Sequence, residues 1–400
     1  MRTLRASPLL VLCFGGTILA LAVGMRQSFG LFLLPIISDL GWGRETFSLA
    51  IAIQNLVWGL TQPFFAMAAD RWGTHRAVMV GGVLYTIGLY FMASPSGAVE
   101  FSFTAGVLIG LALSGTGFVV ILGAVGRAYG PAKRSIALGI VSACGSFGQF
   151  AMAPIGQGLI DTFGWSSTLL VFAVLGAITA LLAIGMRPPQ SHGADQGQQQ
   201  SMRTAMHQAA VHSGYIYLTA GFFVCGFQIT FIIGHLPAYL QDIGLNPATA
   251  ATALGLIGLF NIVGSLGWGI LGSRFRKKYL LSGLYIARAV ITVMLLTLPV
   301  SAWNAYLFAS VMGLLWLGTI PLTNALIADI FGTRYLTSLF GVVFLGHQVG
   351  AFLGIWLGGY VFDVVGSYDV IWWLIVGLGI AAAALHMPID DRPLQRVATA

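Results

Sequence analysis

Apolar stretches of about 20 residues alternate along the chain with short gaps that hold nearly all of its charged residues. A bilayer core about 30 Å thick takes about 20 apolar helical residues to cross. No water inside it satisfies exposed backbone, so each stretch must close its own hydrogen bonds as a helix. Breaks at charged or Pro/Gly clusters place spans near 9–37, 46–69, 77–94, 99–127, 135–161, 166–186, 213–240, 249–272, 279–299, 303–328, 336–362 and 369–387. The pattern predicts an all-α integral membrane protein with twelve transmembrane helices. Its clearest polar interruption runs from Pro188 to Ser213, with Gln196, Gln198, Gln199 and Gln200 in the middle. That stretch reads as a linker over 188–212 between six-helix bundles over 1–187 and 213–400.

An internal repeat supports the division. Arg26-Gln27-Ser28-Phe29 before Leu34-Pro35 matches Gln228-Ile229-Thr230-Phe231 before Leu236-Pro237, 202 residues on. The same offset pairs Gly148, Phe150, Gly156, Asp161 and Gly164 with Gly350, Phe352, Gly358, Asp363 and Gly366. Asp70-Arg71 pairs with Ser273-Arg274 at an offset of 203. The expectation is two pseudo-symmetric bundles with a site between them, near the bilayer midplane.

Composition agrees: 57% hydrophobic, 8% charged and 53 glycines exclude an ordinary soluble domain. Glycine suits close helix contact in lipid. Of the 19 Lys and Arg, 16 fall on the side of the N-terminus, and Arg44 alone falls opposite, near Asp39, Glu45, Glu100, Asp161, Asp242, Asp363 and Asp369. The positive-inside rule makes both termini and the linker cytoplasmic, in the cytoplasmic (inner) membrane. Those loops account for the net charge of +7, so no nucleic-acid partner is needed. Arg2 and Arg5 ahead of Ala20-Leu21-Ala22 have the look of a cleavable leader, but the apolar run continues to Ile37, so it reads as an uncleaved first span. Cys13, Cys144 and Cys225 are isolated and offer neither a metal spacing nor a disulfide pair.

The segment Ala66 to Arg76, with Asp70, Arg71, Gly73 and Arg76, resembles the G-x-x-x-D-R-x-G-x-R/K signature of the major facilitator superfamily. A degenerate copy, Gly269 to Lys277 with Arg274, follows the eighth span. This resemblance implies the twelve-helix transporter fold, with these residues as a conformational-switch motif. Leu40-Gly41-Trp42-Gly43-Arg44-Glu45-Thr46-Phe47-Ser48 resembles the opening of span 2 in monocarboxylate porters and oxalate:formate antiporters. Members of that group usually carry a substrate-binding Arg in span 8, where this chain has Ser265. Monocarboxylate porters use a Lys in outer span 1, at or beside the place of Arg26. The antiporter's span-11 Lys is matched by His347, in His347-Gln348-Val349-Gly350-Ala351-Phe352. Ala153-Pro154-Ile155-Gly156 departs from the drug/proton antiporter signature of span 5.

Arg26 and Arg288 are the charges deep within spans. Each costs about 3 kcal/mol at a helix centre, and no intramembrane carboxylate is on hand to offset it. Such a cavity is positive and favours an anion, which an arginine can grip with two parallel bonds. Arg26 is the first candidate, with Phe29 on its face. Its alternative is an arginine snorkelling outward or pairing with Asp39 or Glu45. Arg288, on the usually peripheral ninth span, is a secondary candidate beside structural pairing. Histidine gains and loses protons at physiological pH, which makes His347, near the midplane, and His235, near the outer end of span 7, candidate proton carriers. Gating or packing is the other reading of His235. Gln54, Gln149, Gln228, Asn261, Ser265 and Gln348 are candidate substrate contacts; interhelical hydrogen bonding is their plainer role.

No P-loop, His-Glu-x-x-His or paired-Cys motif is present, so neither enzyme chemistry nor a metal or other cofactor is expected. The expectation is a monomeric secondary carrier in the bilayer for a small organic anion, a monocarboxylate first, with or without proton symport. The rivals are an efflux carrier for apolar or cationic compounds and a non-transporting sensor or scaffold.

Overall fold

The computed structural model describes residues 7–186, 202–332 and 335–394. They are helical throughout, without a β-strand among the described residues. The helices are α1 (Pro8–Leu40), α2 (Arg44–Trp72), α3 (Thr74–Met92) and α4 (Ala98–Ala128). One continuous run, Pro131–Leu182, takes a non-helical turn at Gly164 (φ 78°), which divides it into α5 (131–163) and α6 (165–182). Glycine alone reaches that conformation without strain. After a short helix at Met202–Val211 come α7 (Ser213–Asp242), α8 (Pro247–Arg274) and α9 (Lys277–Thr297). The series closes with α10 (Ala302–Phe331), α11 (Leu336–Val365) and α12 (Asp369–His386).

Among the described residues, nine stretches are long and apolar enough to cross a membrane, counting the run through α5 and α6 once. The helices α2 and α3 fall outside that set because of their polar side chains, Gln54, Asn55, Thr61 and Gln62 on one and Thr74, His75 and Arg76 on the other. Together these correspond to the twelve expected spans. The expected linker lies mostly outside the described residues, as do Arg2, Arg5, Arg187, Arg334 and Arg396.

Helix contacts come in pairs that the repeat exchanges. α1 packs on α5 as α7 packs on α11, and α3 on α6 as α9 on α12. The large contacts between the first and second halves of the chain, α2 with α11 and α5 with α8, exchange with each other. Glycine makes these seams tight, as packing in lipid requires. A Cβ on Gly148 would stand 2.0 Å from the Ala20 carbonyl, and one on its repeat mate Gly350 would stand 2.0 Å from that of Phe223. Gly354 meets the Phe227 carbonyl in the same way, at 2.2 Å, so the Gly350, Gly354, Gly358 row is a packing face. Gly148→Val and Gly350→Val are therefore each expected to force helices apart and cost about 3 kcal/mol or more. Thermal unfolding followed by size-exclusion profile would show this as a drop in midpoint and in folded yield.

Three spans differ from the continuous helices the sequence suggests. α1 tightens to a 3-10 turn over Phe29–Phe32, after Ser28 returns its hydroxyl to the Gly24 carbonyl at 2.9 Å. The chain there also runs against α7, where a Cβ on Gly30 would meet the Ile233 carbonyl at 2.1 Å. α4 widens to a π-helical turn over Ser102–Leu108 and breaks again at Gly117. α10 breaks at Trp316–Gly318, upstream of Pro321.

Candidate functional site

Side chains from α1, α2, α5 and α11 meet at mid-height around Arg26. The arginine is 9% exposed. Its two terminal nitrogens donate to neutral oxygens, Gln27 Oε1 at 3.0 Å and Asn55 Oδ1 at 2.6 Å, and Nε has no partner. The guanidinium lies 5.2 Å from the centre of the Trp58 ring. Among the described residues, no carboxylate pairs with it. Gln27 Nε2 reaches Gln149 Oε1 at 3.4 Å, leaving Gln149 Nε2 buried and unpartnered. A cation, an unused guanidinium N–H and an unused amide N–H thus lie within one short network. Such a network is short of acceptors and suits a ligand that supplies them.

The second half reaches the network through α11. Gln348 Nε2 donates to the Asn55 carbonyl at 3.1 Å, and Gln348 Oε1 lies 3.1 Å from His347 Nδ1. Gly59 of α2 makes room for this, since a Cβ there would stand 2.8 Å from the Gln348 side chain. His347 is half-buried, stacked on Phe344 with ring planes 8° apart, and Phe344 meets the edge of Trp58. Beside this, Asn261 of α8 donates to Ser146 of α5 at 2.9 Å and accepts from Ser265 at 3.0 Å.

The other expected residues stand elsewhere. Phe29 lies in the 3-10 turn, packed edge-on against Phe32, because the helix that would have put it on Arg26's face ends at Gln27. Gln54 turns away from Arg26 and donates to the Ala105 carbonyl in the π-turn of α4. Gln228 bonds the Ile375 carbonyl and Arg288 rather than facing Arg26.

Arg288 is 1% exposed and serves the break in α10. It donates to the carbonyls of Leu315 at 2.7 Å and Trp316 at 2.6 Å. Trp268 Nε1 takes the Leu314 carbonyl, and Asn261 Oδ1 accepts from the Leu317 amide. Backbone groups released by the break are thus satisfied from neighbouring helices, and the cation sits where a helix C-terminus favours one.

His235 is fully buried, between Tyr368 Oη at 2.9 Å from Nδ1 and the Ile355 carbonyl at 2.8 Å from Nε2. At the opposite end of the bundle, Asp70 accepts from Arg127 at 2.8 Å, and Arg127 also reaches Thr74. Gly73 turns the chain there with φ 96°, while Arg71, Arg76 and Arg274 are solvent-facing. Arg276 on the same end holds the Asp391 carboxyl below its usual range through their hydrogen bonds. Among the described residues, no three metal-ligating side chains converge.

Sequence reasoning missed Gln27, Asn55 and Arg127. Asn55 adjoins Gln54, and the two differ by about 100° around the helix, so one faces α1 and the other α4.

The model of the Major Facilitator Superfamily matches residues 12–320 and again 218–399. The chain belongs to the major facilitator superfamily. It is similar to the uncharacterized MFS-type transporter YcxA of Bacillus subtilis (strain 168), 28% identical over 93% of each chain. It is also similar to monocarboxylate transporter 13 of Rattus norvegicus, 24% identical over 92% of this chain and 86% of the other. Among solved structures it shares its fold with an inward-facing, unoccupied bacterial homologue of the human lysosomal transporter Spinster. That likeness has a TM-score of 0.72 at 17% identity, covering 94% of this chain and 95% of the other. The protein is thus a multi-pass membrane transporter of this superfamily.

Proposed function

We propose that this superfamily member is a secondary carrier for a small organic anion of the monocarboxylate class, working by alternating access. One observation carries the reading: Arg26 is held at mid-height by two neutral oxygens, without a carboxylate among the described residues. A carboxylate entering there could replace both oxygens with a bidentate, charge-assisted pair. The name of the relative monocarboxylate transporter 13 accords with this, as does the aromatic wall of Trp58, Phe344 and His347 beside the arginine. Gln149, Gln348, Asn261 and Ser265 line or brace the same region, and Gln27 and Asn55 join them as ligand contacts. In this reading His347 carries the proton if transport is proton-coupled, because anion plus proton is electroneutral and needs no buried acid. His235 has both nitrogens committed to bonds and serves the closure of the far end instead. Arg288 braces α10. Both termini face the cytoplasm, in the inner membrane, and the carrier works as a monomer.

Uptake by proteoliposomes tests this. Saturable accumulation of at least one short monocarboxylate, increased severalfold by an inward proton gradient, is the expected result. Saturable uptake indifferent to the gradient would remove proton symport. Absence of uptake across a panel of organic acids would remove the anion.

A further inference from the structure

The end of the bundle that carries Gly43, Asp242 and Asp363 is shut by a device that rests on neither Arg26 nor the identity of the substrate. Helix α2 starts there, and its N-cap is Gly43, which has no side chain to offer. The first amides of a helix need acceptors. Asp363, in the last turn of α11, supplies them from the other half of the chain. Its Oδ1 accepts from the Arg44 amide at 3.0 Å, and its Oδ2 accepts from the Glu45 amide at 2.8 Å. A Cβ on Gly43 would stand 2.4 Å from Asp363 Oδ2, so the glycine is what admits the carboxylate.

The Arg44 side chain crosses in the same direction. It grips both oxygens of Asp242, at 2.7 and 2.8 Å, donates to Tyr368 Oη at 2.9 Å and lies 3.5 Å over the Phe362 ring. Tyr368 in turn meets His235, and Trp356 donates to Glu45.

The repeat-related helix begins differently. α8 has Asn246 as its N-cap, with its own side chain accepting from the Thr249 amide at 2.7 Å, and Pro247 follows with no amide to satisfy. Asp161, the mate of Asp363, accepts from Gln157 within its own helix. The cap of α8 therefore travels with α8. The cap of α2 is lent by the opposite half and lasts only while that end is closed.

We propose that Asp363 is a positioning residue of the transport cycle: an N-cap supplied in trans that, with the Arg44–Asp242 pair, sets the balance between the closed and open states of this end. Separating the halves there uncaps a helix and breaks an ion pair together, whereas the matching movement around α8 uncaps nothing.

The test is the distance between spin labels at Ser38 and Ala248, both exposed and on opposite halves, introduced as an unnatural amino acid so that the cysteines stay. In the full-length protein in nanodiscs, Asp363→Ala is expected to raise the open-to-closed ratio roughly tenfold, the equivalent of one charge-assisted bond. Gly43→Ala, on the other half, is expected to do the same by displacing the carboxylate, and the double variant to add nothing. Asn246→Ala should lower the melting temperature with the distance unchanged. Adding Gly43→Ser to Asp363→Ala gives α2 a cap of its own, so the melting temperature should recover while the open state persists. Parental distances in both Asp363→Ala and Gly43→Ala, or full reclosure on adding Gly43→Ser, would overturn the proposal. If Asp363→Ala fails to fold, Gly43→Ala decides alone.

Discussion

Arg26→Gln is expected to abolish acid-dependent stabilisation and lower uptake at least about 100-fold, while the protein without ligand melts no lower than the parent. The two halves of this expectation have one cause. The parent buries a cation whose partners are Gln27, Asn55 and the face of Trp58, all neutral. Removing a buried charge that has no counter-ion among the described residues relieves a desolvation cost, which offsets the one neutral oxygen left without its donor. Glutamine can still donate to one of the two oxygens. The anion, by contrast, loses a bidentate grip whose charged bonds are worth about 1.5–3 kcal/mol each. Thermal-shift titration of parent and variant against a panel of organic acids separates the effects, since ligand stabilisation tracks occupancy. Equal stabilisation of both by the same acid would place the anion elsewhere. Arg26→Lys keeps the charge without the planar fork and should fall between.

Arg288→Met is expected to behave in the opposite way, lowering stability by about 2–5 kcal/mol whether or not ligand is present. This arginine has partners that depend on it. The carbonyls of Leu315 and Trp316 lose their helical amides at the break in α10 and receive both bonds from its Nη2. A buried acceptor left unsatisfied costs about 1–3 kcal/mol, and methionine offers neither carbonyl anything. Denaturant-induced unfolding in detergent should show the loss, and the fractional shift produced by a bound acid should stay at the parental value. A variant as stable as the parent would mean that α10 rejoins or that water reaches the carbonyls.

The contrast between these two arginines measures what the chain discloses as a string of letters. Span positions and the scarcity of charge at depth are set by the bilayer, so hydropathy reports them directly, and the duplication shows in residues that recur 202 positions on. A cation at depth is legible too, but its partner is not. Arg26 and Arg288 look alike in sequence, and the second is explained by a break 27 residues away, for which Gly318 and Pro321 are the written signals. Proline at 321 has no amide to continue the ladder, so the helix upstream must release a carbonyl. The 3-10 turn after Gln27 has no proline to mark it; it goes with the Ser28 hydroxyl turned back to the Gly24 carbonyl and Gly30 pressed against α7. The site is legible in residue type more than in aim: Gln149, Gln348 and His347 lie near Arg26's network, whereas Gln54 and Gln228 face other helices and Phe29 packs on Phe32 of its own. Arg44 stood out as the lone basic residue of its side, yet nothing in its neighbours names Asp242 or Asp363, roughly 200 and 320 positions on.

The glycine seams bear on handling the protein outside its membrane. Where Gly148 lies on the Ala20 carbonyl and Gly350 on that of Phe223, main chain touches main chain, and there is no void for an engineer to fill. Variants selected for endurance in short-chain detergent should therefore accumulate their changes on the acyl-facing surfaces and connecting loops, with those four positions left untouched.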